Sequence, residues 1–229
     1  MKIRWSLFIK SFILGVSFLI LFFGLATVSR AEKKEEGMYF SILGVENSIG
    51  GDFDGETSFY KEEEDTGCVA PKIDSHTGFG ILIGGYNERM AGEISYLHSV
   101  HDTTFTDYDT GISIPLDGEV ELINLDLKLF FSKRIIKPYF LFGIVIPKIT
   151  IDMAAIDGSE VGDAIYTGYG LNLGLGTEIK IHHKFGIDGS IVFRGMRINR
   201  IEISGTDWKP EDSFYTTGRS YNIKLNYYF

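Results

Sequence analysis

Cysteine is nearly missing from this chain: Cys68 stands alone among 229 residues. No internal disulfide can form, so an exported form must be held together by something other than a disulfide framework. Past Val28 no apolar run is long enough for a membrane-crossing helix. Basic residues are outnumbered, 22 Lys and Arg against 31 Asp and Glu, which argues against nucleic acid as a partner. No phosphate loop, nucleotide fingerprint or other cofactor motif occurs, and no cofactor is expected.

What is present begins with a leader. Lys2, Arg4 and Lys10 lie around and ahead of an apolar run from about Phe12 to Val28, and Ser29-Arg30-Ala31 places small residues where a signal peptidase reads. Residues 1–31 read as a secretory signal and residues 32–229 as one domain; an uncleaved anchor is the rival reading. Removing the leader takes away four basic residues (Lys2, Arg4, Lys10, Arg30) and no acid, moving the formal charge from −9 to −13.

The rest is rich in aromatics and glycine, and its patterning has a period of two. In Glu119 to Phe131, Ile123, Leu125, Leu127, Leu129 and Phe131 share one face while Asn124, Asp126 and Lys128 share the other. Near Leu122 the phase changes, through a bulge or at a wet strand end. Tyr169, Leu171, Leu173, Leu175, Ile179 and Ile181 repeat the alternation, as do Ile187, Ile191 and Phe193, and Tyr221, Ile223, Leu225, Tyr227 and Phe229. Helical spacing fits none of these.

Eight strands are expected, near 38–46, 77–87, 91–104, 119–131, 137–150, 166–181, 186–203 and 218–229. The fifth is apolar on both faces and the first weakly patterned, so their registers stay open. Short links alternate with long ones, the plan of an outer-membrane barrel. Lipid offers no hydrogen bonds, so the sheet must close by pairing its last strand with its first. The expectation is an all-β, eight-stranded antiparallel up-and-down transmembrane barrel. Tyr39, Tyr139, Tyr227 and Phe229 are expected as interfacial aromatics.

Such a barrel is just wide enough for side chains to fill. Glu93, Asp126, Glu178 and Asp188 are expected inside it with Lys128, Lys180, Arg194 and Lys224, paired because isolated buried charge is costly. Inward Gly170, Gly174 and Gly176 leave room for larger neighbours to cross.

The leader, "KPYFLFGIVIP", "GYGLNLGLGTEIK" with its turn and "FGIDGSIVFRG", and the terminal "YNIKLNYYF" together resemble the small outer-membrane β-barrel superfamily, which includes the opacity-type surface proteins and the outer membrane protein A and X types. The resemblance covers residues 37–229. It implies residence in the bacterial outer membrane among lipid and lipopolysaccharide. It also implies that Phe229, Tyr227, Leu225 and Tyr221 act as the signal read by the barrel-assembly machinery. No peptidoglycan-binding domain follows, so an anchoring role is not implied.

Three functions fit. The first is a barrel without an open pore or catalytic activity, acting structurally or through its loops on an unidentified extracellular ligand. Those loops carry acids (Asp52, Asp54, Glu56, the Lys61 to Gly67 run, Asp102, Asp107, Asp109) in no EF-hand spacing. The second is an enzyme acting on lipid A or outer-membrane proteins, for which His98, Ser99, His101 and Asp102 supply candidate groups, although adjacent strand residues face opposite ways. The third is a carrier of small apolar molecules, with a pocket drawn from Phe140, Phe142, Ile144 and Ile146. His182-His183 reads as a polar turn, and no metal site is expected.

Overall fold

Alternation of this kind builds strands, and a computed structural model shows eight long ones. It describes residues 36–55, 58–61, 64–106, 113–132, 134–153, 162–203, 205–208 and 213–229. The leader, Glu56, Asp107, Asp109 and the side chain of Cys68 lie outside the described residues. The strands are β1 (Gly37–Gly51), β2 (His76–Tyr86), β3 (Met90–Thr106), β4 (Ser113–Phe130), β5 (Ile136–Ile151), β6 (Ala164–His182), β7 (Phe185–Ile203) and β8 (Phe214–Tyr228). Between β1 and β2 a hairpin pairs Ser58–Lys61 with Glu64–Val69, and Lys72–Ile73 pairs with β3.

Every neighbour in the ring is antiparallel, and β8 pairs with β1 from Tyr39↔Tyr228 to Gly51↔Thr216. The ring is therefore closed, and each of the eight long strands is paired on both sides. A walk around it from Tyr39 passes Gly84, Glu93, Asp126, Gly143, Asn172, Arg194 and Gly218, and arrives at Ile49, ten residues further along β1. With ~3.3 Å per residue and ~4.8 Å between strands, this stagger tilts the strands by roughly 40°.

Outside, a belt of apolar side chains runs round the barrel: Phe40 and Ile42, Ile81 and Ile83, Phe142 and Ile144, Leu171, Leu173 and Leu175, Phe185 to Phe193, and Ile223 and Leu225. On β7 it extends from Phe185 to Gly195, about 25 Å in height at this tilt, the height of a barrel's lipid band. Among the described residues no helix is long and apolar enough to cross a membrane.

Above the belt the two faces exchange character. On β4, Glu119 and Glu121 turn outward while Leu116, Val120 and Leu122 are buried inside; on β5, Lys148 faces out and Ile149 and Ile151 in; on β7, Arg197 faces out and Met196, Ile198 and Ile201 in. The pairings of β4 run without a register shift, so the phase change near Leu122 is the strand leaving lipid for water, not a bulge. Polar-out, apolar-in is the pattern of a barrel in water. This upper interior ends in Phe53, Tyr166 and Phe214, whose rings pack edge to face with centroids 5.3 and 5.8 Å apart about Phe53.

Two expectations are corrected. Tyr39 and Tyr139 are not interfacial: both point into the lumen and are fully buried. Phe140, Phe142, Ile144 and Ile146 lie on the outer face of β5, away from the lumen. Apolar residues on both faces had concealed the register of β5. Its inner face carries Lys137, Tyr139, Leu141 and Val145, because these positions pair with inward Glu178, Gly176, Gly174 and Gly170 of β6.

Candidate functional site

The charged residues that alternation sends inward meet in the lower part of the barrel. Lys128 on β4 reaches Glu93 of the neighbouring β3 at 2.5 Å and, across the lumen, Asp188 of β7 at 2.6 Å, and all three side chains are fully buried. Lys224 on β8 lies 3.1 Å from the other Glu93 oxygen. The Tyr139 hydroxyl donates to Asp188 at 2.7 Å, and the Tyr39 hydroxyl donates to Glu93. The Lys128 ammonium sits 4.5 Å above the Tyr139 ring. Two carboxylates and two ammoniums, with two phenols filling the remaining acceptor positions, make a neutral and hydrogen-bonded cluster, the arrangement in which buried charge is tolerated.

The stagger of ten is what brings these groups level. Each step to the next strand climbs about 3 Å, so residues far apart in register come to one height on opposite walls. Gly176 makes the crossing possible: a Cβ there would run into the Tyr139 ring.

The other expected members are inside but belong elsewhere. Asp126 accepts from Asn172 at 2.8 Å; Asn172 also donates to Asn124, and Asn124 to Ser95. Arg194 donates to Ser220, which donates to Asn47. Glu178 is buried near the lower end, where Lys180 lies over the rings of Tyr86 and Tyr228 and closes the floor. The sequence placed these groups in one lumen but did not divide them into a charged cluster, an amide ladder and an aromatic floor.

The catalytic candidates do not assemble. Ser99 faces the lumen and donates to the Val120 carbonyl at 3.4 Å; His98 faces out against Phe79; Asp102 is exposed. His101 faces inward, hydrogen-bonded through Nδ1 to Thr103 at 2.7 Å. It packs on His76, ring centroids 5.3 Å apart, in the upper interior above the lipid belt. Burial lowers both imidazoles below the usual range, His101 to about 4, so the pair is neutral at neutral pH. This pair escaped sequence reasoning because twenty-four residues, the rest of β2, a turn and most of β3, separate its members. His182 and His183 stack in the β6–β7 turn, and among the described residues no group of three potential ligands forms a metal site. The outward apolar face of β8 carries Tyr221, Leu225, Tyr227 and, just beyond it, Phe229.

Residues 18–229 match the model of the outer membrane protein beta-barrel domain family. The fold is similar to that of Neisserial surface protein A (12% identity; 86% of this chain and 100% of that one covered; TM-score 0.54). It is similar also to outer membrane protein OprG of Pseudomonas aeruginosa (13% identity, 84% and 96% covered, TM-score 0.57). No curated protein sequence matches the chain.

Proposed function

Since the chain belongs to the outer membrane protein beta-barrel domain family and sits in the bacterial outer membrane, we propose that it is a non-conducting, non-enzymatic barrel that holds surface-exposed strand extensions and loops outside the cell. The observation that carries this reading is the filled lumen. Low in the belt the Glu93–Lys128–Asp188–Lys224 cluster spans from wall to wall with Tyr39 and Tyr139. Above it lies a packed apolar interior that includes Val120, Leu122, Val145, Ile149 and Ile198. A solute would have to break buried ion pairs and then cross a dry core, both costly.

The working part is then the portion above the belt, where the strands continue beyond the length needed to cross the membrane and carry the hairpin at Ser58–Val69. We assign its partner to an unidentified extracellular ligand, and the reading of Tyr221, Leu225, Tyr227 and Phe229 to the barrel-assembly machinery.

Reconstitution into planar bilayers tests the reading: the barrel should give no steady conductance, and stepwise openings by the wild-type protein would overturn it. Incubation with lipopolysaccharide should release no acyl chain; release that disappears in Ser99→Ala would make it an enzyme instead.

A further inference from the structure

Outward cations gather on one side of the barrel, at the upper edge of the lipid belt. On β7 even-numbered residues up to Ile198 face the lumen. Arg200 would follow them, but the β6–β7 register shifts between Ile198 and Arg200. The extra residue, Asn199, resets the alternation: Asn199 and Arg200 are both exposed, and odd-numbered Ile201 is buried instead. A bulge commonly re-aims a side chain, and this one puts Arg200 on the same outer face as Arg197. In the ladder, Arg200 pairs with Thr167 of β6, which pairs with Lys148 of β5. Three cations on two strands, Arg197 and Arg200 on β7 and Lys148 on β5, therefore flank the exposed ring of Tyr169 on the intervening β6, where it is the partner of Arg197.

Two of the three already have acidic neighbours. Lys148 holds Glu121 at 2.6 Å and Arg200 holds Glu202 at 3.2 Å, and both cations remain about half exposed. Arg197 has none among the described residues: its guanidinium lies 5.8 Å over the ring of Tyr215 on β8. Stacked in this way, the fork keeps its N–H edge free to hydrogen-bond an anion bidentately. Directly below Arg197 on the same outer face is Gly195, where a Cβ would meet nothing within 4 Å. Exposed Leu171, paired with Gly195, and Phe193 border this gap.

We propose that Arg197, Arg200 and Lys148, with Tyr169 and Tyr215, bind the phosphate head of a lipid in the outer leaflet, one acyl chain lying over Gly195. The occupant is chosen by charge and position. With Glu121 and Glu202 counted against the three cations the patch keeps one net positive charge, carried by Arg197, in a chain whose acids outnumber its bases, and it stands where the apolar belt ends. A ligand with an anionic head above and hydrocarbon below fits both halves. The inference rests on membership in an outer-membrane family and is independent of the sealed lumen.

Native mass spectrometry of detergent-released barrel tests it, with bisphosphorylated lipid A, dephosphorylated lipid A and inorganic phosphate as separate probes. Wild type should retain the bisphosphorylated lipid at least about tenfold more tightly than the dephosphorylated one. The Arg197→Gln/Arg200→Gln variant should lose most of that preference, and Arg197→Lys should keep an intermediate share, since charge remains but the fork does not. Arg134→Gln, a cation lost from the opposite end, should change nothing. The proposal fails if the double variant keeps the wild-type preference, or if Arg134→Gln lowers it equally. It fails also if inorganic phosphate alone displaces the lipid, which would mark a site for free anions.

Discussion

Replacing Lys128 by Met asks how dry the lumen is. The ammonium holds two carboxylates, Glu93 at 2.5 Å and Asp188 at 2.6 Å, and lies over Tyr139. Methionine nearly matches its volume, so little cavity is created and the change is chiefly electrostatic. Among the described residues what remains is Glu93 with Lys224, and Asp188 with the Tyr139 hydroxyl. Removing one partner of a buried pair costs roughly 3–5 kcal/mol, because the other charge is left uncompensated. Adding Asp188→Asn restores a neutral interior and should recover a large part of that loss, a coupling of about 2 kcal/mol or more in the double-mutant cycle. The assay is urea unfolding in phospholipid vesicles, followed by the mobility difference between unboiled and boiled protein on a gel. A Lys128→Met loss below about 1 kcal/mol, with no coupling to Asp188→Asn, would mean that water reaches the cluster and screens it, as it does exposed pairs. The sealed-lumen reasoning would then be wrong.

Gly176→Ala should be destabilising by roughly 1–3 kcal/mol, since the new methyl would displace Tyr139, whereas Gly44→Ala, with open space around it, should stay within about 0.5 kcal/mol in the same assay. The His76–His101 pair predicts an acid-labile outer end. Burial holds both imidazoles below their ordinary value near 6.5, so the unfolded chain binds more protons between about pH 6.5 and 4; stability is intact above that window and declines as pH falls through it. The protection of β2 and β3 amides above the belt, measured relative to their intrinsic exchange rate at each pH, should fall from pH 7 to 5 in wild type and change less in His101→Leu; an equal response in both would remove the pair as the cause. Phe229→Ser, at a fully outward position past β8, should reduce the heat-shifting fraction in outer-membrane preparations severalfold while leaving export intact; unchanged yield would dismiss the terminal aromatic as an assembly signal.

Strand number, the alternation of short and long links, closure of the last strand on the first and the inward parity of Glu93, Asp126, Lys128, Glu178, Asp188, Arg194 and Lys224 were all legible in the residues. A strand's side chains alternate whatever their surroundings, so period-two patterning passes directly from sequence to face. Where both faces are apolar the signal vanishes, and β5 could be placed only by its pairing with β6. Tyr39 and Tyr139 were misplaced for a related reason. An aromatic with a hydroxyl suits a membrane surface and a polar lumen alike, and only register separates the two.

The sequence alone determined that this chain forms a closed barrel with an oily outside and a charged inside, because local alternation and the absence of hydrogen-bonding partners in lipid admit little else. Which charge meets which was decided by the tertiary structure. Lys128 touches Asp188 because a stagger of ten residues brings β4 and β7 to one height across the lumen; Arg200 faces outward because a single bulge at Asn199 reverses its side. The stagger is summed over all eight pairings and the bulge belongs to the pairing of β7 with β6, so no single strand contains either.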